Sequence, residues 1–366
     1  MLYRKYRPLD FGQVVGQEHV VRTLQGALES GRVGQAYLFA GPRGTGKTTL
    51  ARILAKAVNC AQYEKTRGTL AAQRVPLVKI PCNQCMQCQA VNIGNSLDLI
   101  EIDAASNRGI DEIRNLKESA SVAAAGGGRK IFLVDEVHML TKDAFNALLK
   151  ILEEPPSHVI FILATTEPHK ILPTVLSRVQ RFDFKRLTVK EITEKLRTIS
   201  KAEKIDIEDE GLYAIAASAD GALRDAEVSL TKIRTVVPTG AISAQQVNHI
   251  LGLIPSSYHP SFLGFLLNGD RQKAVAIVHQ IHDAGLDLDH FAKEFLAYAR
   301  KALISQINPS AVVAVEGAGV DKELAQFRSA DQTKLIAIIT AFTSARVQIK
   351  SSPIPQLPLE LAIMQL

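Results

Sequence analysis

Residues 36–48 read Ala36-Tyr37-Leu38-Phe39-Ala40-Gly41-Pro42-Arg43-Gly44-Thr45-Gly46-Lys47-Thr48. A short apolar run is followed by the pattern G-x-x-x-x-G-K-[ST], and then by Thr49-Leu50-Ala51-Arg52-Ile53-Leu54-Ala55-Lys56, which has helical composition. Strand, glycine-rich turn and helix in that order make a phosphate-binding loop. The glycines Gly41, Gly44 and Gly46 let the backbone curl so that its N–H groups face an anion. Lys47 supplies a charge to the β- and γ-phosphates, and the Thr48 hydroxyl is a ligand for Mg²⁺. The helix that follows points its positive end at the same place. The stretch therefore predicts a nucleoside triphosphate site and an α/β fold around it.

A chain of 366 residues is long enough for two or three domains. It contains no apolar run of the length that crosses a membrane. Its start, Met1-Leu2-Tyr3-Arg4-Lys5-Tyr6-Arg7-Pro8, lacks the apolar core of a secretory signal, so a cytoplasmic location is expected. The formal charge of +6 is concentrated: residues 1–60 carry nine basic and three acidic groups. That surplus suits phosphates and is compatible with a polyanionic partner such as nucleic acid.

The four cysteines are Cys60, Cys82, Cys85 and Cys88. Two overlapping C-x-x-C steps and one distant cysteine match four thiolates around a tetrahedral ion, and a structural zinc is expected, closed by sulfur on all sides. Between Cys60 and Cys82 the chain is polar, with Pro76 and Pro81, and reads as an irregular insert.

Further along, Leu97 to Asp103 alternates apolar and acidic residues like a strand, and residues 110–125 read as a helix ended by Gly126-Gly127-Gly128. Lys130-Ile131-Phe132-Leu133-Val134 runs into Asp135-Glu136, as a buried parallel strand delivering carboxylates at its C-terminal edge. Asp135 would hold Mg²⁺ through water, and Glu136 would polarise an attacking water. Thr141 to Glu154 reads as a helix stopped by Pro155-Pro156. Val159 to Ala164 forms another strand ending in Thr165-Thr166, whose hydroxyls can bond a γ-phosphate or its attacking water. A short strand, Arg181 to Phe184, closes this part. Strands alternating with helices give a three-layer α/β domain with a mainly parallel sheet. From Thr188 the pattern is helical: 189–203, 208–219 and 222–235, then the linker Val236-Val237-Pro238-Thr239-Gly240. Ser243-Ala244-Gln245-Gln246 reads as a capping box, and helices continue to 366 with breaks at Pro255, Pro260, Gly269-Asp270, Pro309 and Ser351 to Pro358.

These pieces in this order resemble the AAA+ clamp-loader ATPases of bacterial DNA replication. The resemblance is carried by Arg7-Pro8 with Val15-Gly16-Gln17, the phosphate loop, the four cysteines and Asp135-Glu136-Val137-His138-Met139-Leu140. It continues through Phe145-Asn146-Ala147-Leu148-Leu149-Lys150, Glu153-Glu154-Pro155-Pro156, Ala164-Thr165-Thr166, Leu176-Ser177-Arg178 and Leu223-Arg224-Asp225-Ala226. It covers residues 1 to about 235; beyond that only a helical architecture of the right length is shared. The cysteine module inside such a core is its most specific part.

The resemblance implies an ATPase core over 1–184 with a zinc-binding insert at about 60–90, a helical lid over 185–240 and a helical collar for oligomerisation over 241–366. It implies ATP as substrate, contacted by residues 41–49 (Gly41, Pro42, Arg43, Gly44, Thr45, Gly46, Lys47, Thr48, Thr49), with Arg7, Pro8 and Val15 around the adenine and ribose. Arg178 is then the arginine finger that reaches into a neighbouring copy's site, Arg224 the second sensor of the γ-phosphate, and Thr165 or Thr166 the first. Ser106, Asn107 and Arg108 match a helix N-terminus facing template-strand phosphates, which would read backbone and not sequence. Implied partners are other loader subunits, further copies of the chain, a sliding clamp and primer–template DNA. Two departures stand out: Val179 follows the finger where the family usually has cysteine, and the Cys60–Cys82 gap is longer than the family's. A Holliday-junction-type DNA translocase, a non-hydrolysing scaffold subunit of the same loader and, last, a metabolic kinase are the competing readings. The intact Gly46-Lys47-Thr48 argues against the scaffold, the cysteine module against the translocase, and Glu136 with Arg178 against the kinase.

Overall fold

The computed structural model describes residues 1–63, 80–255, 257–308 and 324–366. Most of the irregular insert expected between Cys60 and Cys82, Pro76 included, and the expected break at Pro309 lie outside those residues. The chain divides into two compact units, Met1–Ala244 and Gln245–Leu366.

The first unit is built on five parallel strands, β1 Ala36–Ala40, β2 Leu99–Asp103, β3 Lys130–Asp135, β4 Val159–Thr165 and β5 Gln180–Asp183, in the order β2-β3-β4-β1-β5. In register, Ala36 lies opposite Phe161 and Tyr37 opposite Gln180. β1 has neighbours on both sides, so the loop leaving its C-terminal end sits where the strand order reverses, the place where such sheets leave a crevice. Alternation along the strands feeds two cores. Tyr37, Phe39, Ile131, Leu133, Ile160 and Ile162 meet Val20, Leu24 and Leu28 of α1 (Glu18–Glu29) and Leu50, Ile53 and Leu54 of α2 (Lys47–Val58) on one face. Leu38, Phe132, Val134, Phe161 and Leu163 meet Ile113 and Leu116 of α4 (Ile110–Ser121) and Phe145 and Leu148 of α5 (Lys142–Glu153) on the other. A sheet covered on both faces explains why β1, β3 and β4 are almost unbroken apolar runs. Between α2 and β2 lies α3 (Met86–Ile93). α4 ends at Ser121, four residues short of the expected 125.

Three helices follow β5: α6 (Val189–Glu203), α7 (Asp209–Ser218) and α8 (Leu223–Val236). α6 opens with a capping box absent from the sequence expectations: Glu191 N donates to Thr188 Oγ1 at 3.3 Å, and Thr188 N to Glu191 Oε2 at 2.7 Å. The turn into these helices is clamped from the core. Fully buried Gln17 donates from Nε2 to the Lys185 carbonyl at 2.7 Å and accepts from Lys185 N at 3.1 Å, so one amide satisfies both backbone groups of a residue between β5 and α6.

The second unit is helical: α9 (Ala244–Leu251), which begins one residue before the unit boundary, α10 (Tyr258–Leu267), α11 (Arg271–Asp283), α12 (Leu288–Ile307), α13 (Gln332–Ile349) and α14 (Leu357–Gln365). Phe262 packs edge-on against Phe291, Phe295 and Phe342, with ring centroids 5.1, 4.8 and 5.5 Å apart. Pro260 is not the break expected of it. It sits in the first turn of α10, where the missing N–H has no intrahelical acceptor to lose. Pro358 occupies the same kind of position in α14.

Candidate active site

The loop after β1 closes tightly on its surroundings. At Gly41, φ is 149° and a Cβ would collide with the Phe184 carbonyl; at Gly44, φ is 77° and a Cβ would come within 2.8 Å of that of Ala222. Glycine is therefore required by space as well as by φ. Thr45 Oγ1 donates to the Pro42 carbonyl at 2.8 Å, and Lys47 Nζ donates to the carbonyls of Gly41 and Pro42, each at 2.8 Å. Lys47 is buried, and burial lowers its pKa while Glu136 and Asp135 oppose the shift. A desolvated ammonium held on two carbonyls is pre-positioned for phosphate oxygens.

β3 brings its carboxylates to the same point. Thr48 Oγ1 donates to Asp135 Oδ2 at 2.9 Å, across 87 residues of sequence. A hydroxyl and a carboxylate oxygen so close are the hard donors that Mg²⁺ takes. Glu136 stands in the left-handed region, φ 49° and ψ 44°, with its N–H on Asp135 Oδ1 at 3.0 Å. That conformation turns its carboxylate towards the end of β4, where Oε2 accepts from Thr166 Oγ1 at 2.9 Å and from Thr166 N at 3.3 Å. A non-glycine residue held there is strained by about 1–3 kcal/mol, which the surrounding hydrogen bonds sustain.

Thr165 is fully buried and meets His138 Nδ1 through Oγ1 at 3.0 Å; His138 Nε2 lies 3.0 Å from Glu167 Oε2. His138 Nδ1 is also 3.4 Å from Glu136 Oε2. His138 and Glu167 thus form a polar layer beneath Glu136 and the two threonines. The sequence reading gave them no role, although His138 falls two residues after Glu136.

The cleft over this loop, about 240 Å³, is lined by Arg43 to Thr49, Asp135 and Glu136 at one end, and by Arg7, Pro8, Val15 and Arg224 at the other. The structure brings these predicted residues together. It adds Tyr3, Val14, Leu187, Leu223 and Glu227, to which the sequence gave no part in the site. Arg224 stacks over the Tyr3 ring, 4.9 Å from its centroid. Arg7 is partly buried, and burial first, then Arg52 nearby, lowers its pKa.

Arg178 is elsewhere. It is exposed, with Nη1 on the Thr174 carbonyl at 2.7 Å and Nη2 on Glu153 Oε1 at 2.8 Å, and it does not line the cleft of its own chain. Ser106, Asn107 and Arg108 lie in the turn and loop between β2 and α4, leading up to the N-terminus of α4. Ser106 Oγ donates to Asp103 Oδ2 at 3.0 Å and Asn107 Nδ2 to the Asp103 carbonyl at 3.0 Å, while α4 starts at Ile110 after Gly109. The first turn of α4 carries Asp111 and Glu112, which answer the helix dipole from within the chain.

Behind α2 the four cysteine sulfurs lie within 4.8 Å of one another, with Cys60 and Cys88 buried. Cys82 N donates to Cys60 Sγ at 3.4 Å and Cys85 N to Cys82 Sγ at 3.3 Å. Cys88 donating to Cys60 holds the Cys60 thiol down to about 4 and pushes Cys88 up. An all-sulfur set supported by backbone N–H groups fits a zinc ion with Zn–S bonds of about 2.3 Å after a small contraction. The module is tied to the cleft through Lys56, which is almost fully buried on α2. Its three N–H groups meet Leu9 O at 2.6 Å, Asn83 Oδ1 at 2.7 Å and Asn92 Oδ1 at 2.8 Å. One ammonium thus joins the segment beside Pro8, the helix carrying Lys47 and the cysteine knuckle.

Three family models match successive stretches: DNA polymerase III, delta subunit, over residues 16–188; DNA polymerase III clamp loader subunit, ATPase lid domain, over 191–232; and DNA polymerase III subunits gamma and tau domain III over 242–366. DNA polymerase III subunit tau of Bacillus subtilis is 38% identical over 366 residues, 100% of this chain and 62% of that protein. Its counterpart in Escherichia coli is 38% identical over 312 residues, 85% of this chain and 46% of that protein. This chain therefore spans less than two thirds of the length of these relatives. Among solved structures, the Thermotoga maritima RuvB Holliday junction branch migration motor aligns with a TM-score of 0.49 at 21% identity, covering 72% of this chain and 79% of its own.

Proposed function

Because this chain belongs to the DNA polymerase III gamma/tau family, we propose that it is the ATP-hydrolysing motor subunit of a bacterial replicative clamp loader. The observation that carries the reading is the meeting of Thr48 and Asp135 at 2.9 Å, with Glu136 next in sequence and hydrogen-bonded to Thr166. In this reading Lys47 and the loop amides hold the β- and γ-phosphates, and Glu136 takes the proton of the attacking water. Thr48 and Asp135 would hold Mg²⁺, which would supply charge neutralisation for the phosphates. Thr165 and Thr166 with Arg224 report the γ-phosphate, Arg224 from the lid helix α8.

Arg178 completes the site of an adjoining copy; its exposure and its distance from its own cleft support a role in trans. ATP binding closes several subunits into an arc that opens or holds a sliding clamp around primer–template DNA. DNA then aligns the fingers, and hydrolysis releases the closed clamp. Arg108 and the backbone before α4 contribute a phosphate contact, kept weak by Asp111 and Glu112. The Gln245–Leu366 unit acts as the oligomerising collar, zinc in the cysteine cluster is structural, and the protein works in the cytoplasm. Measuring ATP hydrolysis with and without primed DNA and a clamp tests the reading: stimulation by both together supports it, and hydrolysis indifferent to both contradicts it.

A further inference from the structure

The base end of the cleft contains a carboxyl for which hydrolysis has no use. Glu227 lies one turn beyond Arg224 on α8, is 5% exposed, and lines the cleft beside Pro8, Val14, Val15, Leu187 and Leu223. Those apolar side chains suit the faces of a flat base but cannot read its polar edge. Among the described residues, no hydrogen bond or ion pair holds the Glu227 carboxylate. The cations that face it are Arg7 from the N-terminal segment and Lys195 from α6; Arg224, on its own helix, is turned onto Tyr3. A buried carboxyl without a close partner is costly as an anion. Burial pushes Glu227 up to about 7, with Lys195 and Arg7 opposing only in part.

We propose that Glu227 reads the base of the bound nucleotide as a neutral carboxylic acid, accepting from adenine N6–H and donating to adenine N1. The inference rests on the triphosphate-site reading above and goes on to its base specificity. A protonated carboxyl offers one acceptor and one donor side by side, which complements the amino group and ring nitrogen of adenine. Guanine instead presents two donors side by side, N1–H and N2–H, which the carboxylate anion accepts together, so guanine favours the deprotonated form where adenine requires the acid. Adenine nucleotide binding is then coupled to uptake of one proton by Glu227, and guanine nucleotide binding is not. A site built to hydrogen-bond a substrate edge rejects the analogue that leaves its polar groups unpaired.

Calorimetric titration of the full chain with ATPγS and GTPγS, at about pH 6 and about pH 8.5 and in buffers of different ionisation heat, tests this. The unmodified protein should take up a proton with ATPγS and lose about tenfold in affinity across that range, beyond the change seen in Glu227→Gln. Glu227→Gln keeps one donor and one acceptor; it should bind ATPγS at least as well, without that proton uptake. Glu227→Leu should lose discrimination between the two nucleotides by about tenfold or more. A common pH profile for the unmodified protein and Glu227→Gln, or full discrimination in Glu227→Leu, would overturn the proposal. Failure of the unmodified protein to bind either triphosphate would overturn the triphosphate site itself, and this inference with it.

Discussion

Arg178 donates to the Glu153 carboxylate at 2.8 Å on the exposed surface of its own chain, away from the cleft that holds Lys47 and Glu136. The ion pair is solvent-exposed, so it is weak, worth about 0–1 kcal/mol. It parks the guanidinium without committing it. Glu153→Gln is therefore expected to leave nucleotide affinity unchanged and to alter assembly-stimulated hydrolysis by no more than about fivefold. A loss approaching that of Arg178→Ala would show that Glu153 does more than hold the arginine.

Glu136→Gln keeps the size and much of the hydrogen bonding of the residue that Thr166 holds, but removes the proposed base. Hydrolysis should fall by about 10²–10⁴ while ATP binding persists. Quenched-flow hydrolysis alongside equilibrium nucleotide binding checks both halves.

Lys56→Met would remove three donors at once and leave Leu9 O, Asn83 Oδ1 and Asn92 Oδ1 without their partner in a buried place. Destabilisation of at least about 2 kcal/mol is expected, together with faster loss of metal from the cysteine cluster. Thermal melting and the rate of zinc transfer to a chromogenic chelator measure the two effects separately.

The Gln245–Leu366 unit should be pH-sensitive through one carboxylate between two imidazoles. Glu294 lies 3.4 Å from His259 Nε2 and 3.2 Å from His290 Nε2. Burial alone would raise Glu294, yet the imidazoles of His259 and His290 beside it bring it down to about 2; His290 is raised, chiefly by Glu294. The depressed acid contributes stability above the ordinary glutamate pKa of about 4.3 and loses it as pH falls towards 2. The raised histidine contributes below about 6.5 and loses it as pH rises through its folded value. Protection of α12 amides from hydrogen exchange, corrected for the intrinsic rate, should peak between about pH 4.5 and pH 6.5, and Glu294→Gln should flatten the profile.

The phosphate loop, the strand-end carboxylates and the cysteine spacing were legible in the sequence because each is a local pattern with its own chemistry. The alternating strands were legible because a sheet covered on both faces demands apolar runs. What lay hidden is the chemistry assembled across the chain. Tyr3 comes to the cleft from the N-terminal segment, and Leu187, Leu223 and Glu227 from the stretch after β5, where Ala222 stands against Gly44; no residue spacing records that approach. Nothing in the sequence sets Lys56 apart from the other lysines; its role depends on Asn83 and Asn92, which only the fold brings against it. Pro260 was misread because a proline in a first turn has the same letter as one that breaks a helix. Ser106 to Arg108 were expected at a helix N-terminus and stand just before α4; what no spacing recorded is that Asp103 holds Ser106 and Asn107 there.

On the proposed function, a triphosphate bound by one copy is cleaved only when another copy supplies Arg178. Single-turnover hydrolysis should be compared between a verified monomer and the complete assembly on primed DNA, at equal ATP occupancy. The account predicts that the monomer is slower by about 10³ or more, and that Arg178→Ala brings the assembly down to the monomer's rate with ATP still bound. Equal rates for monomer and assembly would contradict it.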